Sequence, residues 1–301
     1  MPGREVYIAL PAWSPFYVEL AVRYTIPATL ASLAAWRPDC RAHFLIHTDM
    51  PERFGGPLRG HEVTFRVPEF GPGRDGYWMA FKQAHRDAIA WAPVGSLLAL
   101  LNADIVVSIE TFGAVDAVLQ GDKKVGVSVG IRTLIDGNVP PVGVDAETLS
   151  RYIWSHRQSI TEECIWGSGR THHPTILFFN HEDGGVSMHC FHLTPMFIVK
   201  DRELSFLGTI DDDLLESYGD DQIVYFKDGE FAVCELSAGH KAHPTRGPLN
   251  VADVVEFGRK RLRVSHVRNF RQRYRVLGMP ADNHPAADAI LAGLAPHFAA
   301  A

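Results

Sequence analysis

Cysteine is scarce: Cys40, Cys164, Cys190 and Cys234 are the only four in 301 residues, widely scattered and with no CxxC pair. That spacing disfavours a disulfide scaffold and favours reduced structural thiols. Long apolar runs are missing as well. None approaches the roughly 20 residues of a membrane span, and the start MPGREVYIAL has no signal-peptide apolar core. The expectation is a cytoplasmic protein. Positive charge is in deficit, with 29 Lys and Arg against 35 Asp and Glu and a net charge of −6. Whole-molecule attraction to nucleic acid is therefore not expected. There is no internal repeat, no low-complexity stretch and no HExxH, the last of which argues against a metal-dependent hydrolase.

What is present is the profile of a globular chain, 46% hydrophobic and 21% charged. VYIAL (6–10), AHFLIHTD (42–49), EVTFRV (62–67), LLALLNADIVVS (97–108) and KKVGVSV (123–129) read as strands. A helical stretch from about Val18 to Trp36, the run 77–92 and a short helix at 111–120 separate them. This β–α–β succession predicts a mostly parallel sheet with helices on both faces, in an α/β fold. The second half predicts a smaller mixed lobe. It has a helix at 145–158, extended runs at 175–180 and 191–200, and a hairpin around Asp228-Gly229 in YFKDGEFAV. The organisation expected is 1–130 as one half of the domain, 131–245 as the other, and 246–301 as a basic segment with an Ala-rich helical tail.

Within LLALLNADIVVS, Asn102 and Asp104 interrupt an otherwise apolar run. An unpaired carboxylate in a buried strand is costly, so Asp104 is expected where the strand emerges from the sheet. Ligands of such sheets gather beyond the carboxyl ends of the strands, and Asp49 and Asp104 both fall there. A carboxylate at a strand tip can share Mg²⁺ or Mn²⁺ with phosphates; equally, Asp serves as a turn or helix cap.

The strand-tip acid, the early VYIALPAW, the helix FKQAHRDAIAWA and the acidic turn GTIDDDLL, in that order over roughly residues 5–240, resemble GT-A-type nucleotide-diphosphosugar glycosyltransferases. The resemblance implies a GT-A-like fold and transfer of a sugar from a nucleotide-diphosphate donor to a hydroxyl acceptor, a glycan or a lipid-linked one. It places Asn102, Ala103 and Asp104 on the DxD motif that holds metal and diphosphate. Here the first acid is an amide, which offers a neutral oxygen and no charge. It further implies that Pro11, Trp13, Tyr17, Asp49, Lys82, Asn102 and Asp104 form the nucleotide-sugar site. Packing of the rings beneath a loop and capping by Asp49 is the competing description of those residues.

Asp211, Asp212 and Asp213 form the strongest acidic cluster. Mutual repulsion raises the pKa of at least one, as a general base for an acceptor hydroxyl requires; the rival reading is a helix start, where acids favour the helix dipole and do no chemistry. Asp212 is the chosen base, with Asp211 and Asp213 beside it. For the metal, Asp104 is joined by His240 or His266, since some GT-A enzymes bring back a C-terminal histidine. His189 and His192 fall short of a zinc set, which needs four ligands. The segment 258–275 contains eight Lys or Arg from Arg259 to Arg275 and no acid. It suits a diphosphate or an anionic membrane surface at the cell's inner face, or a solvated helix paired with acids from elsewhere. Two alternatives stand beside the transferase. One is a non-catalytic nucleotide- or sugar-binding protein of the same fold, which Asn102 suggests. The other is a sugar-phosphate nucleotidyltransferase, disfavoured because PAWSPFY is not the Gly-rich basic loop those enzymes carry after their first strand.

Overall fold

A computed structural model describes residues 5–70, 73–135, 139–167, 174–192, 196–204, 214–239, 248–278 and 283–298. Asp211, Asp212, Asp213 and His240 lie outside them. The first strand, β1 (Val6–Pro11), is buried along its whole length. Its alternating side chains feed two cores: Val6, Ile8 and Leu10 enter one, Tyr7 and Ala9 the other. A strand apolar on both faces needs a layer on each.

One layer follows at once: α1 (Pro15–Leu20), a π-helical turn over Ala21–Thr25, and α2 (Ile26–Trp36) form a continuous helical run. Then come β2 (Ala42–His47), β3 (Glu62–Arg66) and α3 (Gly73–Trp91), whose Ala88 and Ile89 cover the other face of the sheet. The chain returns through β4 (Leu97–Leu100), β5 (Ile105–Val107), α4 (Thr111–Val118) and β6 (Val125–Val127). After β7 (Ile131–Leu134) lie α5 (Ala146–Ser155), capped by the Asp145 carboxylate on Thr148 N–H, and α6 (Ser159–Glu163). The remaining strands are β8 (Ile176–Asn180), β9 (Val186–Cys190), β10 (Met196–Val199), β11 (Ile223–Tyr225), β12 (Val233–Ser237) and β13 (Tyr274–Leu277). Among the described residues three helices follow: α7 (Val251–Arg261), α8 (Val264–Phe270) and α9 (Pro285–Phe298).

The main sheet has seven strands in the order β11-β6-β10-β4-β1-β2-β3, parallel except for β10. Because β10 comes from the second half and inserts between β4 and β6, the two halves share one sheet. The α/β architecture expected from the sequence, a mostly parallel sheet with helices on both faces, is the one observed. Two three-stranded sheets stand against it, β5-β12-β7 and β13-β9-β8. On the last of these, Leu177 and Phe179 pack outward against the C-terminal helices, while Phe178 and Met188 turn inward to the main core.

Two expectations need correction. The run 97–108 is two strands: β4 belongs to the main sheet and β5 to the small one, with Asn102–Asp104 at the break. The segment around Asp228-Gly229 is no hairpin. β11 pairs with β6, whereas β12 pairs with β5 and β7. The chain turns between the sheets because Phe226 and Phe231 stay buried against each other, 4.8 Å between centroids, and Phe226 sits over Gly126, where a Cβ would come within 2.6 Å of its ring.

Candidate active site

The break between β4 and β5 is held from four directions. Leu101 N–H donates to Ala9 O at 3.0 Å and Ile105 N–H to Asn102 O at 3.2 Å. The Thr25 hydroxyl donates to Ala103 O at 2.7 Å, and Leu236 N–H on β12 donates to Asp104 O at 2.7 Å. Ala103, 3% exposed, anchors the turn in the core, so that Asn102 and Asp104 on either side of it remain partly accessible. Asp104 therefore lies in the turn directly before β5, with the neighbouring backbone fixed by the Thr25 helical turn on one side and β12 on the other.

Folding brings two residues here that the sequence did not single out. Glu235 on β12 lies opposite Ile105 of β5 and beside Arg132 of β7. Arg132 Nε donates to Glu235 Oε1 at 2.7 Å, with the Glu235 side chain only 14% exposed. Burial, and next the Glu235 carboxylate, push the Asp104 carboxyl up to about 7, against the opposing pull of a backbone hydrogen bond and the Arg132 guanidinium. Glu235, before all else, holds Arg132 still more firmly in its charged form. The signal for Glu235 was the one that marked Asp104, an acid inside the apolar run FAVCELS. Arg132 and Glu235 line a cavity of about 200 Å³ together with Thr161, Cys164, Thr175 and His192.

The other expected residues are placed as follows. Pro11 ends β1 and is buried. Trp13 is 4% exposed and packs with Ala80, Ala84 and Phe81, with Phe70 edge-on at 5.5 Å. Its ring is core. Tyr17 is half-buried against the main core. Asp49 accepts from Ser14 N–H at 3.3 Å, and Ser14 has φ of 69°, a left-handed backbone that a serine adopts only under constraint. Lys82 is partly exposed on α3. His266 on α8 accepts from Arg263 N–H through Nδ1 at 3.1 Å. His189 is fully buried, with Nδ1 2.8 Å from Phe270 O and Nε2 2.9 Å from Asn283 Oδ1. Its ring thus belongs to the packing of β9 against α8.

Among the described residues no three His, Cys, Asp or Glu side chains gather as a metal site, so His266 does not join Asp104 and Glu235. The donor set at the turn nonetheless fits a hard divalent cation. The Glu235 carboxylate is near enough to act electrostatically on that of Asp104, and Asn102 Oδ1 is a buried acceptor oxygen without a hydrogen-bond partner. Four of the eight basic residues of the C-terminal segment form ion pairs: Arg259 and Lys260 with Glu256, Arg268 with Asp220, and Arg275 with Glu147.

No protein-family model matches the chain, and no curated protein does. Several solved structures are similar to the chain at low identity. The galactosyltransferase LgtC, solved with donor and acceptor sugar analogues, is 12% identical over 74% of this chain and 73% of its own, with a TM-score of 0.37. Glucosyl-3-phosphoglycerate synthase from Mycobacterium tuberculosis, solved with Mn²⁺, UDP and glucosyl-3-phosphoglycerate, is 14% identical over 90% and 81%, with a TM-score of 0.37. A 4-diphosphocytidyl-2C-methyl-D-erythritol synthase from Anaerococcus prevotii is 10% identical over 81% and 90%, with a TM-score of 0.33. At that distance, function has to be read from this chain's own residues.

Proposed function

We propose that this protein is a glycosyltransferase that moves a sugar from a nucleotide-diphosphate donor to a hydroxyl acceptor. The observation that carries the reading is Asp104, in the turn between β4 and β5 whose backbone is bonded by Thr25 at Ala103 O and by β12 at Asp104 O, near Glu235, which lines a cavity. A bound Mn²⁺ or Mg²⁺ would neutralise the donor diphosphate as it leaves. Asp104 and Asn102 are the residues to hold it, with His240 the further candidate. The chain's own residues do the rest. Arg132 presents a guanidinium to the same cavity; Asp49 and Tyr17, near the ends of β2 and β1, are the nucleotide-side candidates. Asp212 takes the acceptor proton as its oxygen attacks the anomeric carbon, with Asp211 and Asp213 setting its basicity. The acceptor is a glycan or a lipid-linked glycan.

Asn102 supports one second reading, a protein of this fold that binds nucleotide without turnover. Calorimetric titration of UDP, GDP and their sugar conjugates, with and without Mn²⁺, tests both. A transferase binds a nucleotide sugar and turns it over. Asp104→Asn then loses ion-dependent donor binding with the fold intact, and Asp212→Asn keeps donor binding while transfer falls at least a hundredfold. Binding without turnover favours the second reading, and no binding to any nucleotide removes both.

A further inference from the structure

The turn at Asn102–Asp104 poses a charge problem. A divalent cation shared with a diphosphate is held by one or two protein carboxylates, and Asn102 supplies none. The fold brings the missing charge from 131 residues further along the chain. Leu236 N–H is bonded to Asp104 O at 2.7 Å, so the backbone beside Glu235 is fixed directly to the backbone of Asp104. The antiparallel register sets Glu235 opposite Ile105, the residue that follows Asp104. Arg132 Nε occupies Oε1 of Glu235 and orients the carboxylate, leaving Oε2 outside that bond. Two carboxylates against one guanidinium put one negative charge in excess in a half-buried place, which a proton or a cation must offset. The third oxygen is Asn102 Oδ1, enclosed and without a hydrogen-bond partner.

We propose that Glu235 is the second anionic ligand of a divalent cation at this turn, replacing the acid that Asn102 does not provide, with Arg132 as its positioning residue. The set is then Asp104 and Glu235 through carboxylate oxygens and Asn102 through its amide oxygen, all hard ligands suited to Mn²⁺ or Mg²⁺. Ligating carboxylates are themselves hydrogen-bonded by outer partners that fix their aim, the part Arg132 plays for Glu235. This rests on the transferase reading above but concerns only the ion.

The experiment is Mn²⁺ binding by the full chain, followed by calorimetry and by the electron paramagnetic resonance of free Mn²⁺, without donor and then with UDP. Glu235→Gln is expected to weaken Mn²⁺ at least tenfold, and Asn102→Asp in that background to restore it to within about threefold of the unaltered chain. Asn102→Asp alone, which leaves the Arg132–Glu235 pair in place, is expected to tighten Mn²⁺ at least fivefold. Should Glu235→Gln bind Mn²⁺ as the unaltered chain does while Asp104→Asn loses it, Glu235 is only a structural partner of Arg132 and the proposal is overturned. Nucleotide binding indifferent to Mn²⁺ overturns it as well, while leaving the transferase reading standing. Absence of nucleotide binding under every condition fails that reading instead, and Mn²⁺ titration without donor still decides the role of Glu235.

Discussion

His85 shows how far a single side chain can be held from its ordinary chemistry. It is 1% exposed on α3, its ring meets Phe81 edge-on at 4.4 Å, and neither ring nitrogen has a hydrogen-bond partner. Burial, with a lesser contribution from His47, depresses its pKa to about 3. The folded state therefore keeps His85 neutral in a range where the unfolded chain, near 6.5, takes up a proton. Between those two values the unfolded state binds more protons, so stability rises with pH; the contribution is complete above about 6.5 and is lost as pH falls toward 3. Burial also lowers His47 and His189, with the same sign. His85→Leu removes no hydrogen bond and takes one titrating group out of this slope. Denaturant melts between pH 4 and 6 should show a dependence shallower by up to about 1.4 kcal/mol per pH unit. An unchanged slope would mean that water reaches the ring and protonates it in the folded state.

At the level of elements, the site depends on a helix turn that sequence periodicity does not distinguish. The π-helical turn Ala21–Thr25 places the Thr25 hydroxyl, on a residue 1% exposed, on the carbonyl of Ala103 between Asn102 and Asp104. Thr25→Val keeps the shape and deletes the donor, leaving a buried carbonyl unpaired at a cost of about 1–3 kcal/mol. The expected result is a lower melting temperature together with several-fold weaker Mn²⁺ binding; a loss of stability alone would make the bond a packing device. The strands β1, β2 and β6 were legible because apolar runs of that length bounded by turn residues have few other solutions, and β3, an exposed edge strand, by its alternation of Val63 and Phe65 with polar residues; Asp104 was singled out as a carboxylate that interrupts such a run. Glu235 and Arg132 were not, since their meaning comes from β12 lying between β5 and β7, a pairing between segments over 100 residues apart. Trp13 was ambiguous for a related reason: a Trp after a strand points to a binding loop or to the core, and it is the α3 alanines that enclose this ring. The Asp228-Gly229 signal marked a real turn, but a turn does not say which sheet each arm joins.

Across the whole molecule, the third sheet is a wall with the site's cavity on one side and the C-terminal helices on the other. Ile176, Phe178 and His192 face the cavity; Leu177 and Phe179 join Phe270, Ile290 and Leu294 behind it. Asn269, fully buried, ties the two sides by donating to His192 O at 3.0 Å while accepting from the Tyr274 hydroxyl. The backing depends on close approach of α7 and α9 at two glycines, and these differ in what they tolerate. A Cβ on Gly258 would meet Leu294 Cδ2 at 2.5 Å, the far end of a side chain that can rotate away. A Cβ on Gly293 would meet Val255 Cγ2 at 2.6 Å and Cγ1 at 3.5 Å, on a β-branched side chain with one favoured rotamer in a helix. Replacing a helical glycine by alanine gains about 1 kcal/mol in propensity, and overpacking costs about 1–3 kcal/mol. Gly258→Ala should therefore leave the melting temperature unchanged or slightly raised. Gly293→Ala should lower it by about 2–4 °C for each kcal/mol lost. Mn²⁺ affinity should stay within twofold in both, because the strain falls behind the wall while Glu235 and Asp104 are held by β12 and β5 in front of it. If Gly293→Ala weakens Mn²⁺ in step with its stability, the C-terminal layer sets the geometry of the site, and the ligands are not fixed by the small sheet alone.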